Sequence, residues 1–378
     1  LTLSGAWRSK PLFDSTKPEA SASAQPSSEL AVAAPLQIEL TANLPARPES
    51  IASDPAGGIW ELSDGRVLRV VLATGNASPP LDLGGHRATA MVLRRNLLWI
   101  ASRDGNSVFE VDSLTGDVVA TSHVDAPTAL AVDTSTVIEG PGQRVAGQTP
   151  APIRGPSIVV ASSATNSIIE YSADTMTERW HQAVPGTPIL AAEGGGRIWV
   201  AARPAGDPTA VVLAAYEAGT GRPVGMVRFP VGARIPRSIA VQQVGADVGS
   251  AWIPDPTTGL VSVIDARATG VVRTIEVGAG VAEIAVRPGG DFVVTYADGS
   301  AKPGTANALA VIHVSDGSVV RYVVRQDTPG SGQGVVGLSF EDETDESNAR
   351  VGTFWKVWFG MDWDGGASVG RVNEYQLP

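Results

Sequence analysis

Short runs rich in Val, Ile, Leu and Thr recur from about residue 48 to the end of the chain, each closed by Gly, Pro, Asn or Asp. Runs of this length bounded by turn residues predict β-strands, because branched side chains suit a pleated surface and Gly tolerates the positive φ of tight turns. The stretch 259–300 shows it most plainly, with VSVID, VVRTIEV, EIAV and DFVVTY separated by Ala-Thr-Gly, Gly-Ala-Gly and Pro-Gly-Gly. The same order of four runs repeats. An inner run (ESIAS, TAMVL, TALAV, PILAA, RSIAV, AEIAV, VGLSF) precedes a second run (GIWELSDG, LLWIASRDG, IVVASSATN, RIWVAARPAG, SAWIPDPTTG, FVVTYADG, KVWFGMDWDGG). Third runs such as SVFEVD and VSVID, and fourth runs such as VVATSHV and VVRTIEV, complete each unit.

Aligning the second runs places Trp60, Trp99, Val159, Trp199, Trp252, Val293 and Trp358 at one position, with a basic period of about 40 residues. That period predicts an all-β fold of seven four-stranded units, a seven-bladed β-propeller over residues 36–378. The seventh unit ends in RVNEYQLP without a fourth run, and LQIELTA, residues 36–42, has the matching pattern. This N-terminal strand is expected to close the ring as the outermost strand of the last blade, which removes an exposed sheet edge. Insertions at 134–156 and 341–350 extend first hairpins, whereas those at 203–209 and 299–307 extend second hairpins on the face that carries the links between blades.

The wording of the repeat (SVID, then TG, VVRTI, VG, IAV and PGG) resembles the YVTN family of β-propeller repeats, best between 236 and 300. The resemblance implies a secreted or periplasmic binding or scaffold module. Its motif consists of structural residues, so it carries over no catalytic position, and relatives in the wider superfamily include lyases, lactonases and dehydrogenases.

Composition sharpens this picture in a few places. Residues 1–35 form a separate extended arm: Trp7 and Phe13 stand out in LTLSGAWRSKPLFDSTK, and an Ala/Ser/Pro segment without a usable period follows. Such a segment orders by lying on its own propeller or on a partner. A net charge of −11 argues against nucleic acid or an anionic membrane surface as the main partner. No apolar run is long enough for a transmembrane helix, which leaves peripheral association with a membrane complex open. With no Cys, disulfides and thiolate metal sites are excluded. The first residue is Leu1 rather than Met, and we expect export: a periplasmic, secreted or cell-surface protein.

Candidate chemistry is sparse. Four His (His86, His123, His181, His313) fall at unrelated places in the repeat, with no metal-ligand spacing, so no metal or cofactor is expected. The aligned inner positions Ala52, Val92, Ala131, Ala191, Ala240, Ala285 and Ser339 are small, as strands converging on an axis require. Five Trp at one aligned site fit either an aromatic ligand cage or wedges between blades; their mid-strand place among apolar residues favours wedges. The most polar region is the link face, with Arg87, Arg103, Arg203, Arg234, Arg237 and Trp363, where Arg beside an aromatic is what protein interfaces favour. The main expectation is therefore a non-enzymatic subunit that docks on protein partners through Trp7, Phe13 and this face. The alternative is a propeller lyase or hydrolase over the axis, using Glu49, His86, Arg237 and Glu283.

Overall fold

The computed structural model describes residues 36–37, 39–44, 48–54, 57–94, 96–132, 157–207, 210–230, 236–242, 248–278, 280–286, 292–297, 308–325, 335–343, 354–363 and 366–373. Two N-terminal strands, β1 (Leu36–Gln37) and β2 (Glu39–Leu44), come first. Then follow the blades, each an antiparallel meander. The first is β3 (Ser50–Asp54), β4 (Gly58–Ser63), β5 (Arg66–Val71) and β6 (Asn76–Ala77). The next is β7 (Ala90–Arg94), β8 (Leu97–Ser102), β9 (Ser107–Asp112) and β10 (Val118–His123). It is followed by β11 (Pro127–Val132), β12 (Ser157–Ser162), β13 (Ser167–Ser172) and β14 (Glu178–Ala183). Then come β15 (Thr187–Gly194), β16 (Arg197–Arg203), β17 (Ala210–Glu217) and β18 (Pro223–Pro230). A further blade holds β19 (Ala240–Val241), β20 (Ala251–Asp255), β21 (Leu260–Ile264) and β22 (Val271–Glu276). Another holds β23 (Val281–Val286), β24 (Phe292–Ala297), β25 (Ala308–His313) and β26 (Val319–Arg325). The chain finishes with β27 (Val335–Glu343), β28 (Phe354–Trp363) and β29 (Gly366–Asn373).

The molecule is a β-propeller of four-stranded antiparallel blades. Its inner strands touch in succession: β3 meets β7, β7 meets β11, then β15, β19, β23 and β27, and β27 meets β3. Among the described residues no helix is long and apolar enough to cross a membrane.

The N-terminal segment divides its pairing between two blades. Residues 39–44 pair antiparallel with β29, Glu39 opposite Arg371 and Leu44 opposite Ala367, and so complete the β27–β29 sheet at its outer edge. Leu36 and Gln37 do not extend that pairing. They lie parallel to β26 of the preceding blade, Leu36 opposite Val324 and Gln37 opposite Arg325. One short segment thus covers the end of one free edge and the length of another.

The Trp position is a wedge. Trp60, Trp99, Trp199 and Trp252 are at most 1% exposed. Each packs against the blade that follows it: Trp60 with Leu98 and Ile100, Trp99 with Ile158 and Val160, Trp199 with Ala251 and Ile264, and Trp252 with Ile284 and Ala310. Val159 fills the same place between its blade and Ile198 and Val200. The side chains of Val293 and Trp358 lie outside the described residues.

Two of the aligned inner positions need correction, and the aligned set belongs to blade packing. Ala52, Val92, Ala131 and Ala240 do sit opposite Trp60, Trp99, Val159 and Trp252. However, Ala192 rather than Ala191 faces Trp199, and Val286 rather than Ala285 faces Val293. Ala52 packs in the core around Trp60, and Ala131 in the core around Val159. In the β15–β16 hairpin Gly194 pairs with Arg197 across Gly195 and Gly196, both at positive φ. The offset lies at the start of β15, where the irregularity after Pro188 matches the one after Pro127 of β11 and so puts Ala192 in the place of Ala131. Gly195 is also required by a close approach: a Cβ there would stand 2.5 Å from the Gly249 amide nitrogen of the next blade.

Outer strands repeat a second device. In β10, β14, β18 and β22 one extra residue bulges beside the start of the strand, namely Val119, Arg179, Val224 and Val272. Hydroxyl bridges join the inner strands: Thr89 Oγ1 donates to Pro127 O (3.1 Å), Thr128 Oγ1 to Pro188 O (3.2 Å), and Ser238 Oγ to Ile284 O (3.1 Å).

Candidate functional site

The link face is built from hairpin tips and from the segments that carry the chain between blades. At the tip between β4 and β5, Asp64 and Gly65 both have positive φ (46° and 71°), the geometry of a two-residue hairpin turn. That turn holds the Asp64 carboxylate outward, where Arg87 reaches it from the next link. Arg87 Nη2 donates to Asp64 Oδ1 at 2.6 Å and to the Asp64 carbonyl at 2.9 Å. The Arg87 amide donates to Asp104, in the β8–β9 turn, at 3.1 Å. Ser102 Oγ donates to the same carboxylate at 2.9 Å. Asp104 is therefore held below the usual carboxylate range, first by the Ser102 hydroxyl and then by the Arg87 amide and nearby His86. The His86 ring lies against Gly105, where an added Cβ would stand 2.8 Å from the ring. The link His86–Arg87 thus fastens the hairpin tips of two neighbouring blades.

A second polar group lies at another seam. Arg237, just before β19, and Glu283 of β23 approach to 3.8 Å. Glu283 follows an irregularity in β23 between Val281 and Glu283, and its side chain is only 11% exposed. Of the four residues in the enzyme alternative, the structure brings Arg237 and Glu283 together. It places His86 with Asp104 and Gly105 at a different seam, and Glu49, exposed, in the link before β3. Arg103 and Arg203 occupy exposed hairpin tips and make no ion pair among the described residues. Trp363 ends β28 opposite Gly366, and its side chain lies outside the described residues, as do Trp7, Phe13 and Arg234. Among the described residues no three or more His, Asp or Glu side chains gather as a metal site.

Sequence reasoning missed the buried carboxylates of the seams. Glu170 of β13 is 1% exposed, takes Arg179 Nη1 at 3.1 Å, and accepts the Gly219 amide of the next blade at 3.1 Å. The bulge in β14 is what delivers Arg179 to it. Glu110 holds the matching place one blade earlier, opposite Trp99; burial, with Asp174 adding to it, raises its carboxyl above the usual range. Glu61 of β4 is fully buried, and burial pushes it up to about 7, offset in part by the Ser63 hydroxyl. The signal for Glu61 was available: it follows the aligned Trp, where the other second runs carry Ile100, Val160, Val200 and Ile253.

No family model matches this chain, and no curated protein sequence matches it. Solved structures do. A chain of a mitotic checkpoint complex is similar over 95% of this chain and 97% of that one, with 11% identity and a TM-score of 0.57. The WD40 domain of Neurospora crassa Pan2 is similar over 86% of this chain and 89% of its own, with 10% identity and a TM-score of 0.57. Kuenenia stuttgartiensis hydrazine synthase covers 73% and 76%, with 16% identity and a TM-score of 0.47. At these identities the likeness establishes the β-propeller fold alone.

Proposed function

We propose that the chain is a seven-bladed, YVTN-type propeller that works outside the cytoplasm as a non-enzymatic binding or scaffold subunit. What supports the blade count is the succession of inner strands from β3 round to β27 and back to β3. The observation that carries the functional reading is the link face. There the Arg87 side chain is spent on Asp64 of one blade and its backbone amide on Asp104 of the next, while Arg103 and Arg203 stand exposed at hairpin tips. A rigid rim of exposed cations on a ring sealed by Trp suits docking to a protein surface. The mitotic checkpoint complex is an assembly by its own name, which accords with this reading. The arm through Trp7 and Phe13 is the second contact we assign to a partner.

The test is the mass of the native particle, with its co-purifying proteins identified. A stoichiometric partner that is lost from an Arg103→Glu, Arg203→Glu variant supports the docking face. A clean monomer of unchanged mass defeats the subunit reading. The lyase or hydrolase alternative rests on the Arg237–Glu283 pair; it requires turnover that disappears in Glu283→Gln.

A further inference from the structure

The strand β4 has two faces, and only one is what a propeller core needs. Trp60 and Leu62 point into the next blade. Ile59, Glu61 and Ser63 lie on the other side, because side chains alternate along a strand. Ile59 packs there with Leu44, Ile51, Leu68 and Val70, so this face meets the end of the closing strand β2, while β3 beside it lies against β27 and β28 of the same sheet. Glu61 is fully buried in that seam, opposite Ile51 of β3 and Leu68 of β5. The Ser63 hydroxyl beside it gives partial relief, but among the described residues neither carboxylate oxygen has a well-formed hydrogen bond. Matching residues of other second strands, Ile100, Val160 and Val200, are fully buried aliphatics. An isolated carboxylate in such a place is tolerated only as the neutral acid.

The seam is also distinctive in how it is held. Successive blades are joined by the chain itself, whereas this seam closes through the pairing of β2 with β29. Charged groups lie on several of the elements around it. On β3 and β5 they are Asp54 and Arg69, joined to each other at 2.6 Å, and Arg66 at an exposed strand end. The closing sheet carries Glu39 on β2, Glu341, Asp342 and Glu343 on β27, Lys356 and Asp362 on β28, and Arg371 on β29.

We propose that Glu61 makes the closing seam a proton-controlled latch: the blades pack with Glu61 as a neutral acid, and its ionisation drives β2 and the first blade apart. The direction follows from linkage. Burial raises the group in the folded state from 4.5 to about 7. The stability it provides is then fully present below about 4.5, is lost as pH rises toward and through about 7, and changes no further once both states are ionised. A shift of this size corresponds to a loss on the order of 10²-fold in the equilibrium that keeps the seam closed.

The test compares full-length wild type with Glu61→Leu and Glu61→Gln from pH 5 to pH 9. It reads thermal melting and the hydrogen-exchange protection of the Glu39–Leu44 amides, corrected for intrinsic exchange. Wild type should melt lower as pH rises, and protection of β2 should fall on the order of 10²-fold before that of β8 or β12. Both variants should show flat profiles. Glu61→Leu should equal or exceed wild type at pH 9, and Glu61→Gln should lie lower throughout because its amide is left unpartnered. If Glu61→Leu does not fold, Glu61→Gln carries the comparison. Parallel profiles for wild type and variants overturn the proposal. So does a wild type that gains stability with pH, as a carboxylate paired with Arg371 would. Loss of protection that begins in another blade also overturns it.

Discussion

The first blade meets two neighbours through the two faces of one strand, and the faces are built differently. Toward β7–β10, Trp60 and Leu62 lie among Leu98, Ile100, Phe109 and Val111, an entirely apolar contact. Outside that contact, Arg87 clamps Asp64 to the next blade. Toward β2, the cluster of Leu44, Ile51, Ile59, Leu68 and Val70 surrounds a buried acid. The first seam follows the repeat, which places a large wedge on one side and aliphatics on the other. The second falls where the chain ends meet, and there β4 departs from the pattern of the other second strands. A repeat architecture is stable as a sum of neighbour contacts, so the seam that differs sets where opening begins.

Removing the closing strand is the most severe way to break this comparison. Deleting residues 1–46 takes away β1 and β2, leaves β29 with an unpaired edge and strips Leu44 from the seam. Melting should fall by more than about 10 °C, or cooperative unfolding should be lost. An unchanged melting curve would mean that β2 does not hold the ring.

Next comes the apolar seam. Trp60→Ala leaves a cavity between two blades and should cost about 3–5 kcal/mol in denaturant unfolding, with no dependence on pH between 5 and 9. A cost below about 1 kcal/mol would show that the wedge is not where the blades gain their packing. The contrast with Glu61 variants, whose effect should change with pH, separates the two faces of β4.

Much of this frame was legible in the chain. The Trp position is marked because an aromatic recurs mid-strand at the blade period, and closure because the last unit lacked a fourth run, which was expected at 36–42 and is supplied by Glu39–Leu44. What stayed hidden depends on register. The irregularity after Pro188 matches the one after Pro127, and this puts Ala192 in the place assigned to Ala191. Arg179 is the extra residue of β14, and the bulge that turns it onto Glu170 cannot be read from the pattern of the strand. Leu36 and Gln37 cross to β26 because the segment is shared between two free edges, which a one-strand-per-blade count does not anticipate. On the link face, the sequence brought Arg and Asp to the right side of the molecule. It did not foresee that the partners of Arg87 sit on two separate blades.

Glu170 and Arg179 supply a polar seam with a counter-charge present, against which Glu61, which has no cation beside it among the described residues, can be judged. Glu170→Gln should destabilise by roughly 3 kcal/mol, because the Arg179 guanidinium loses its counter-charge in a mostly buried site. The double change Glu170→Leu, Arg179→Met should recover most of that loss. If the single and double variants are equally destabilised, the ion pair is not what makes Glu170 tolerable between its blades, and the Gly219 amide bond is the term to examine.

The smallest effect on stability is expected at the clamp outside the apolar seam, and it separates folding from docking. Arg87 and Asp64 are 64% and 77% exposed, and a pair so solvated contributes about 0–1 kcal/mol. Arg87→Ala should therefore shift melting by no more than a few degrees, since Trp60 and its neighbours hold the blades without it. The same change removes a cation from the link face and frees the tip that carries Asp64, while the residue-87 amide still holds Asp104. Partner capture by this variant should fall while its melting stays near that of wild type. If melting collapses instead, the clamp belongs to the core of the ring rather than to its rim, and the division between a sealed interior and a docking face fails at that seam.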